Sequence, residues 1–268
     1  MAEMLTLDTD LMIARKDAGI GWMIFNNPER RNALKLEMWQ AVSKIIADFA
    51  ADDTVRTVIM AGAGDKAFVS GADISEFEKH RDSAEAEEEY NSVTTAAQDA
   101  LGRLEKPLVA MIRGFCVGGG LAVALQADIR IASDDSQYAI PAARLGLGYG
   151  FTGLRKLSTL VGPAMAKEIL FTARLFSAEE ALRMGLINRL VPAPDLKATV
   201  RQLAEGIADN APLTVRAAKV AIGEVLKDPD NRDLEAVEHQ VRACFDSEDY
   251  TEGRTAFMEK RRPQFKGR

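Results

Sequence analysis

Three observations predict an α/β fold with a layered core. Short apolar runs of strand length alternate with longer stretches of helical periodicity, turn residues separate the two kinds of segment, and the last third is helical in pattern and punctuated by prolines. At 268 residues the chain is long enough to bury a large core.

The elements follow in order. LMIARKDAGIGWMIFNNP (11–28) carries two apolar runs around Asp17, Ala18 and Gly19 and reads as a β-hairpin. Leu34, Met38, Val42, Ile45, Ile46 and Phe49 recur at three and four residues, which predicts an amphipathic helix to about Ala50. TVIMAG, from Thr57, is a short buried strand, and a mixed loop to about Ile74 follows it. Glu76 to Leu104 reads as a helix whose first part is strongly charged. KPLVAMIRG gives a further buried strand, GGLAVALQA a buried helix, and DIRIASDDSQYAI two short strands. Beyond Gly153 the pattern is helical almost throughout. Pro163, Pro192, Pro194 and Pro212 break it up, and a helical C-terminal region is expected from about Asp195.

Composition narrows the function classes. The chain is 47% hydrophobic and 28% charged, and 34 Lys and Arg against 40 Asp and Glu leave a net charge of -6, which argues against a general nucleic-acid binder. The two cysteines, Cys116 and Cys244, lie far apart and fit a reduced compartment. MAEMLTLDTD lacks the basic and apolar regions of a signal peptide. The most apolar stretch, Leu108 to Leu125, is interrupted by Arg113 and by Gly118 to Gly120, so no membrane partner is expected and the location is read as cytoplasmic.

Absent signatures narrow the chemistry further. The chain has no GxxxxGK[ST], HExxH, GxSxG or paired CxxC. Gly62-x-Gly64-x-x-Ala67 loosely matches a dinucleotide fingerprint, but Ser70 and Gly71 continue as loop where that motif requires a helix. His80 and His239, the only histidines, have no nucleophile near them in sequence and read as surface residues. No metal site is expected.

RGFCVGGGLAVALQAD (113–128) is the most informative stretch. It reads as a strand running through three glycines into a helix, a junction where a ligand can approach the main chain and free N–H groups can hold negative charge. The helix itself offers no acid, base or nucleophile. KAFVSGADI (66–74) follows the strand TVIMAG and is placed to present a second backbone N–H toward the same sheet edge. Two such donors make an oxyanion hole.

KAFVSGADISEF, VGGGLAVALQADIRIA, LFTARLFSAEEALRMGLINRLV and EGRTAFMEKRRPQF, in that order, resemble the crotonase superfamily, the enoyl-CoA hydratase/isomerase family, over about residues 11–265. The resemblance implies a crotonase (ClpP-like) fold, with a core of repeated ββα units over residues 1–194 carrying the acyl-CoA pocket. It implies a helical region over 195–268 for assembly into homotrimers or dimers of trimers. The substrate would be an acyl thioester of coenzyme A, with no permanently bound cofactor. The thioester carbonyl would be held by the amides of Ala72 and Gly119. Asp73 and Ile74 would line the adenine pocket, Arg30 and Ala33 would lie near the nucleotide, and Phe257 and Lys260 would reach CoA on a neighbouring subunit.

The chain departs from that pattern at the acid–base positions. The two glutamates of enoyl-CoA hydratases match Ala122 and Ala142 here. A methyl group neither activates water nor delivers a proton, and each such function is worth roughly 10²- to 10⁴-fold in rate. Standard hydration is therefore not expected, while stabilisation of an enolate is. LGLGY (145–149) and the C-terminal 246–265 segment resemble methylmalonyl-CoA decarboxylase, whose active-site tyrosine matches Tyr149 but whose histidine matches Ala72. Decarboxylation of a malonyl-type thioester is thus one alternative, and a non-catalytic acyl-CoA-binding oligomer is another. Arg144 is a candidate to hold a substrate carboxylate, and Glu76 a candidate acid or base.

Overall fold

A computed structural model describes residues 2–73 and 84–268. The hairpin forms from β2 (Met12–Asp17) and β3 (Ile20–Phe25), joined by Ala18 and Gly19 at φ 51° and 79°. Positive φ at both central residues gives the turn a twist that matches that of the strands. Helix α1 (Leu36–Ala51) then packs Met38, Val42, Ile45 and Phe49 inward.

The next stretch is built from a repeated strand–strand–helix unit. In the first, β4 (Thr57–Gly62) and β5 (Ala67–Val69) precede helix α2 (Ala84–Arg103); in the second, β6 (Leu108–Ile112) and β7 (Phe115–Val117) precede α3 (Gly119–Ala124). The third has β8 (Ile129–Ser133), β9 (Gln137–Ala139) and the short α4 (Ala142–Leu145). The first strand of each unit joins a large sheet and the second joins a small one.

With β1 (Glu3–Met4), β10 (Phe176–Ser177) and β11 (Arg189–Val191), the sheets among the described residues run β1-β2-β3-β4-β6-β8-β11 and β10-β9-β7-β5. From β3 to β11 the large sheet is parallel. A parallel sheet needs both faces covered, which explains why TVIMAG and LVAMI are continuously apolar. One face carries Trp22, Ile59, Val109 and Ile131 against Leu196, Val200 and Ala204 of α7 (Leu196–Ala208); the main core fills the other.

The remaining helices are α5 (Phe151–Thr172), α6 (Ala178–Arg183), α8 (Pro212–Val225), α9 (Leu234–Phe245) and α10 (Glu248–Glu259). At Gly162, ahead of Pro163, φ 77° and ψ 160° break α5, because proline lacks the N–H that would continue the ladder. No helix among the described residues is long and apolar enough to cross a membrane.

Three sequence expectations change. Leu34 is not the start of α1 but a lone bridge to Ala72, fully buried. The stretch after β4 is not all loop, since it holds β5. The region beyond Gly153 includes β10 and β11, too short to carry a periodic signal of their own.

Candidate active site

In the small sheet, β5, β7 and β9 run parallel, so their C-terminal ends emerge on one side. Open α/β sheets bind ligands beyond those ends. Here β5 leads to Gly71 and Ala72, β7 to Gly118 and Gly119, and β9 to Pro141 and Ala142.

The two backbone segments approach closely. A Cβ placed on Gly119 would lie 3.6 Å from the Ala72 amide nitrogen and 3.7 Å from Leu34 Cδ1. Leu34 N donates to Gly71 O (2.8 Å), and Asp73 N donates to Leu34 O (2.9 Å). That parallel bridge uses the groups on either side of Ala72 and turns its own N–H the other way. Gly119 is the first residue of α3, where an N–H has no partner within the helix. Two neighbouring amides without backbone acceptors among the described residues can hold one oxygen atom between them. At six residues α3 is short, so its dipole adds little beside the direct hydrogen bonds.

The glycines enforce this geometry. Gly118 adopts φ 54° and ψ -116°, a conformation closed to other residues, and is anchored by donating to Ala139 O at 2.8 Å. A Cβ on Gly120 would stand 2.0 Å from Val69 O, so any side chain there forces α3 off β5.

Arg30 and Ala33 sit in the turn beneath this loop. Ser70 N donates to Arg31 O (3.1 Å) and Ala33 N to Arg30 O (3.0 Å), which brings the turn and the Ser70–Asp73 segment together. Arg30 is exposed, Ala33 half-buried and Asp73 buried. Sequence reasoning missed Asn32, which organises the turn. Fully buried at φ 56°, it donates to Ala63 O (3.0 Å) and Ala67 O (2.8 Å) and accepts from Asn27 N (2.9 Å). Its signal was its residue type, since asparagine tolerates the left-handed region.

Ala142 is buried, and Ala122 lies one helical turn beyond Gly119. Gln98, Ala122, Gln126, Ile140, Tyr149 and Lys156 help to line a cavity of about 20 Å³, room for a single water. Burial pushes the Tyr149 phenol above its ordinary value. Burial pulls the Lys156 ammonium below its own, opposed by Asp99 and Asp128 and reinforced by Lys219. Lys156 Nζ donates to Gln126 Oε1. Lys156 too was missed, because only the fold brings α5 to Gln126 and Ala122.

The other candidates are placed differently. Arg144 is exposed on α4. Phe257 is 82% exposed on α10, and Lys260 is exposed at its left-handed C-cap. That helix packs on α9 and is clasped to the C-terminal segment through Asp249, which accepts from Lys266 N (2.6 Å) and Gly267 N (2.8 Å). His239 is exposed on α9. Ile74, Glu76 and His80 lie outside the described residues. A larger cavity of about 350 Å³ opens beside Val55 and Pro107, at the N-terminal ends of β4 and β6, away from the glycine turn.

Known proteins resemble this chain in sequence and fold. The family model described as enoyl-CoA hydratase/isomerase matches residues 15–268. The short-chain-enoyl-CoA hydratase of Clostridium acetobutylicum is 36% identical, over 98% of this chain and 100% of its own length. The crotonyl-CoA hydratase of Syntrophomonas wolfei is 34% identical, over 95% and 97%. A crystal structure of an enoyl-CoA hydratase/carnithine racemase from Magnetospirillum magneticum superposes with a TM-score of 0.92 at 35% identity, covering 97% of each chain. A family match over nearly the whole length, on the same fold, makes this chain a member of the enoyl-CoA hydratase/isomerase family, within the crotonase superfamily.

Proposed function

We propose that this enzyme binds an acyl-CoA thioester through the Ala72 and Gly119 amides and stabilises its enolate, with ordinary hydration weak. The observation that carries this reading is the close approach of the Ala72 and Gly119 backbones, with Ala122 one turn further along α3 and Ala142 just beyond β9. As negative charge develops on the thioester oxygen, each amide contributes about 3 to 4 kcal/mol to the transition state. Ala122 and Ala142 leave hydration without a group to activate water or deliver a proton. The relatives' names describe hydration, so hydration is the competing outcome.

The test is a mass-spectrometric screen of CoA thioesters for gain or loss of water or carbon dioxide, with an optical readout for isomerisation. Crotonyl-CoA hydration should fall at least about 10⁴-fold below ordinary enzyme rates, two missing groups each contributing 10² or more. Hydration at ordinary rates overturns this half of the reading. Tight thioester binding with no turnover of any kind would instead identify a binding protein.

Tyr149 supports a second reading, decarboxylation of a malonyl-type thioester, because it shares a cavity with Ala122. Loss of carbon dioxide leaves the electron pair on the thioester as an enolate without any base. Unchanged decarboxylation in Tyr149→Phe, or none in the parent enzyme, removes it. Residues 195–268 serve assembly in this proposal, supported by exposed Ile222, Val225, Phe257 and Met258 on the outer helices.

A further inference from the structure

The two alanines supply no proton carrier for the enolate, and the structure places a different group beside one of them, Ala122. We propose that Lys156, working through one water in the cavity beside Ala122, carries the α-proton of the bound thioester. The inference rests on the enolate reading above.

Three observations support it. Ala122 lies about 4.5 Å further along the helix axis than Gly119, which holds the amide, so the cavity begins one turn from the reacting carbonyl. Ala122 and Gln126 are four residues apart and both line that cavity, and Gln126 accepts a hydrogen bond from Lys156 Nζ. Lys156 is half-buried, its hydrogen-bond partner is a neutral carboxamide, and among the described residues no carboxylate pairs with it.

Among the described residues, Tyr149 shares the cavity with it, and the charged groups around it lie one per neighbouring element. Asp99 comes from α2, Asp128 from the turn after α3 and Lys219 from α8. Asp128 is itself paired with Lys219 at 2.7 Å. Burial therefore outweighs them and holds the ammonium below its ordinary pKa.

The step balances without a further reactant. The neutral amine takes the α-proton through the water, and the C–H electron pair passes to the thioester as an enolate whose oxygen the two amides hold. The ammonium then returns a proton, or a deuteron after exchange with solvent, to the same carbon.

The experiment follows deuterium entering the α-carbon of butyryl-CoA and propionyl-CoA in D₂O by mass spectrometry. Thioester binding is measured by calorimetry on the same preparations. The parent enzyme should exchange at a rate that rises with pH to a plateau reached below the ordinary lysine range, because only the neutral amine accepts the proton. Lys156→Met should exchange at least about 100-fold more slowly with binding retained. Lys156→Arg keeps the charge but cannot release a proton, and should lose exchange equally. Adding Ala122→Glu to Lys156→Met supplies a carboxylate in the same cavity and should restore exchange.

Exchange by either Lys156 variant at the parent rate overturns the role of Lys156 and leaves the enolate reading standing. A parent enzyme that exchanges neither thioester overturns the enolate reading and this inference together. If Lys156→Met does not fold, Lys156→Arg decides between the same outcomes.

Discussion

The two walls of the site are built by different means. One is backbone: the Ala72 and Gly119 amides are held by a bridge to Leu34, by the Gly118 turn and by the contact of Gly120 with Val69. The other is side chain: Ala122, Ala142, Tyr149 and Lys156 project from four different parts of the chain. The first wall cannot change without the fold, whereas the second can be replaced residue by residue. On the proposed reading, this contrast is how a chain could keep the paired amides while carrying Ala122 and Ala142 at the positions where the resemblance implies glutamates.

Substitutions can break or sharpen this contrast, in descending order of effect. Gly120→Ala should be the most severe, since a methyl 2.0 Å from Val69 O forces backbone apart. A loss of about 3 kcal/mol or more is expected in chemical denaturation, together with thioester binding. Gly119→Ala separates stability from function. Its Cβ meets only ordinary contacts, at 3.6 Å from Ala72 N, yet stands where the carbonyl would approach. Turnover should fall about 10²- to 10³-fold with thermal stability unchanged or slightly raised; a fully active variant would remove Gly119 from the hole.

Asn32→Ala comes next. It orphans the carbonyls of Ala63 and Ala67 and the Asn27 amide, so a stability loss of about 2 to 3 kcal/mol is expected from urea unfolding. Tyr149→Phe should be the mildest, below about 1 kcal/mol, because Tyr149 lines a small cavity and the ring keeps its packing against the core. A larger loss would show that the side-chain wall also supports the fold.

The backbone wall was largely legible in the sequence. TVIMAG is strand β4 as expected, and the glycines after FCV mark the strand-to-helix turn because few other residues permit that geometry. Leu34 was misassigned because its spacing from Met38 fits a helical face, whereas a single parallel bridge has no period to detect. The side-chain wall was legible only as an absence. Ala122 and Ala142 are marked only by the resemblance, which implies glutamates there, and nothing local marks Lys156, whose neighbours Gln98 and Gln126 are 58 and 30 residues away.

The hydrogen bond from Gly118 to Ala139 also bears on the order in which the molecule matures. The glycine turn is fastened by a carbonyl that leaves the ribosome some twenty residues after it, and by a loop locked much earlier through Leu34. A nascent chain ending before Ala139 would hold both segments without the carbonyl that fastens the turn, so the turn is completed at a late stage of synthesis.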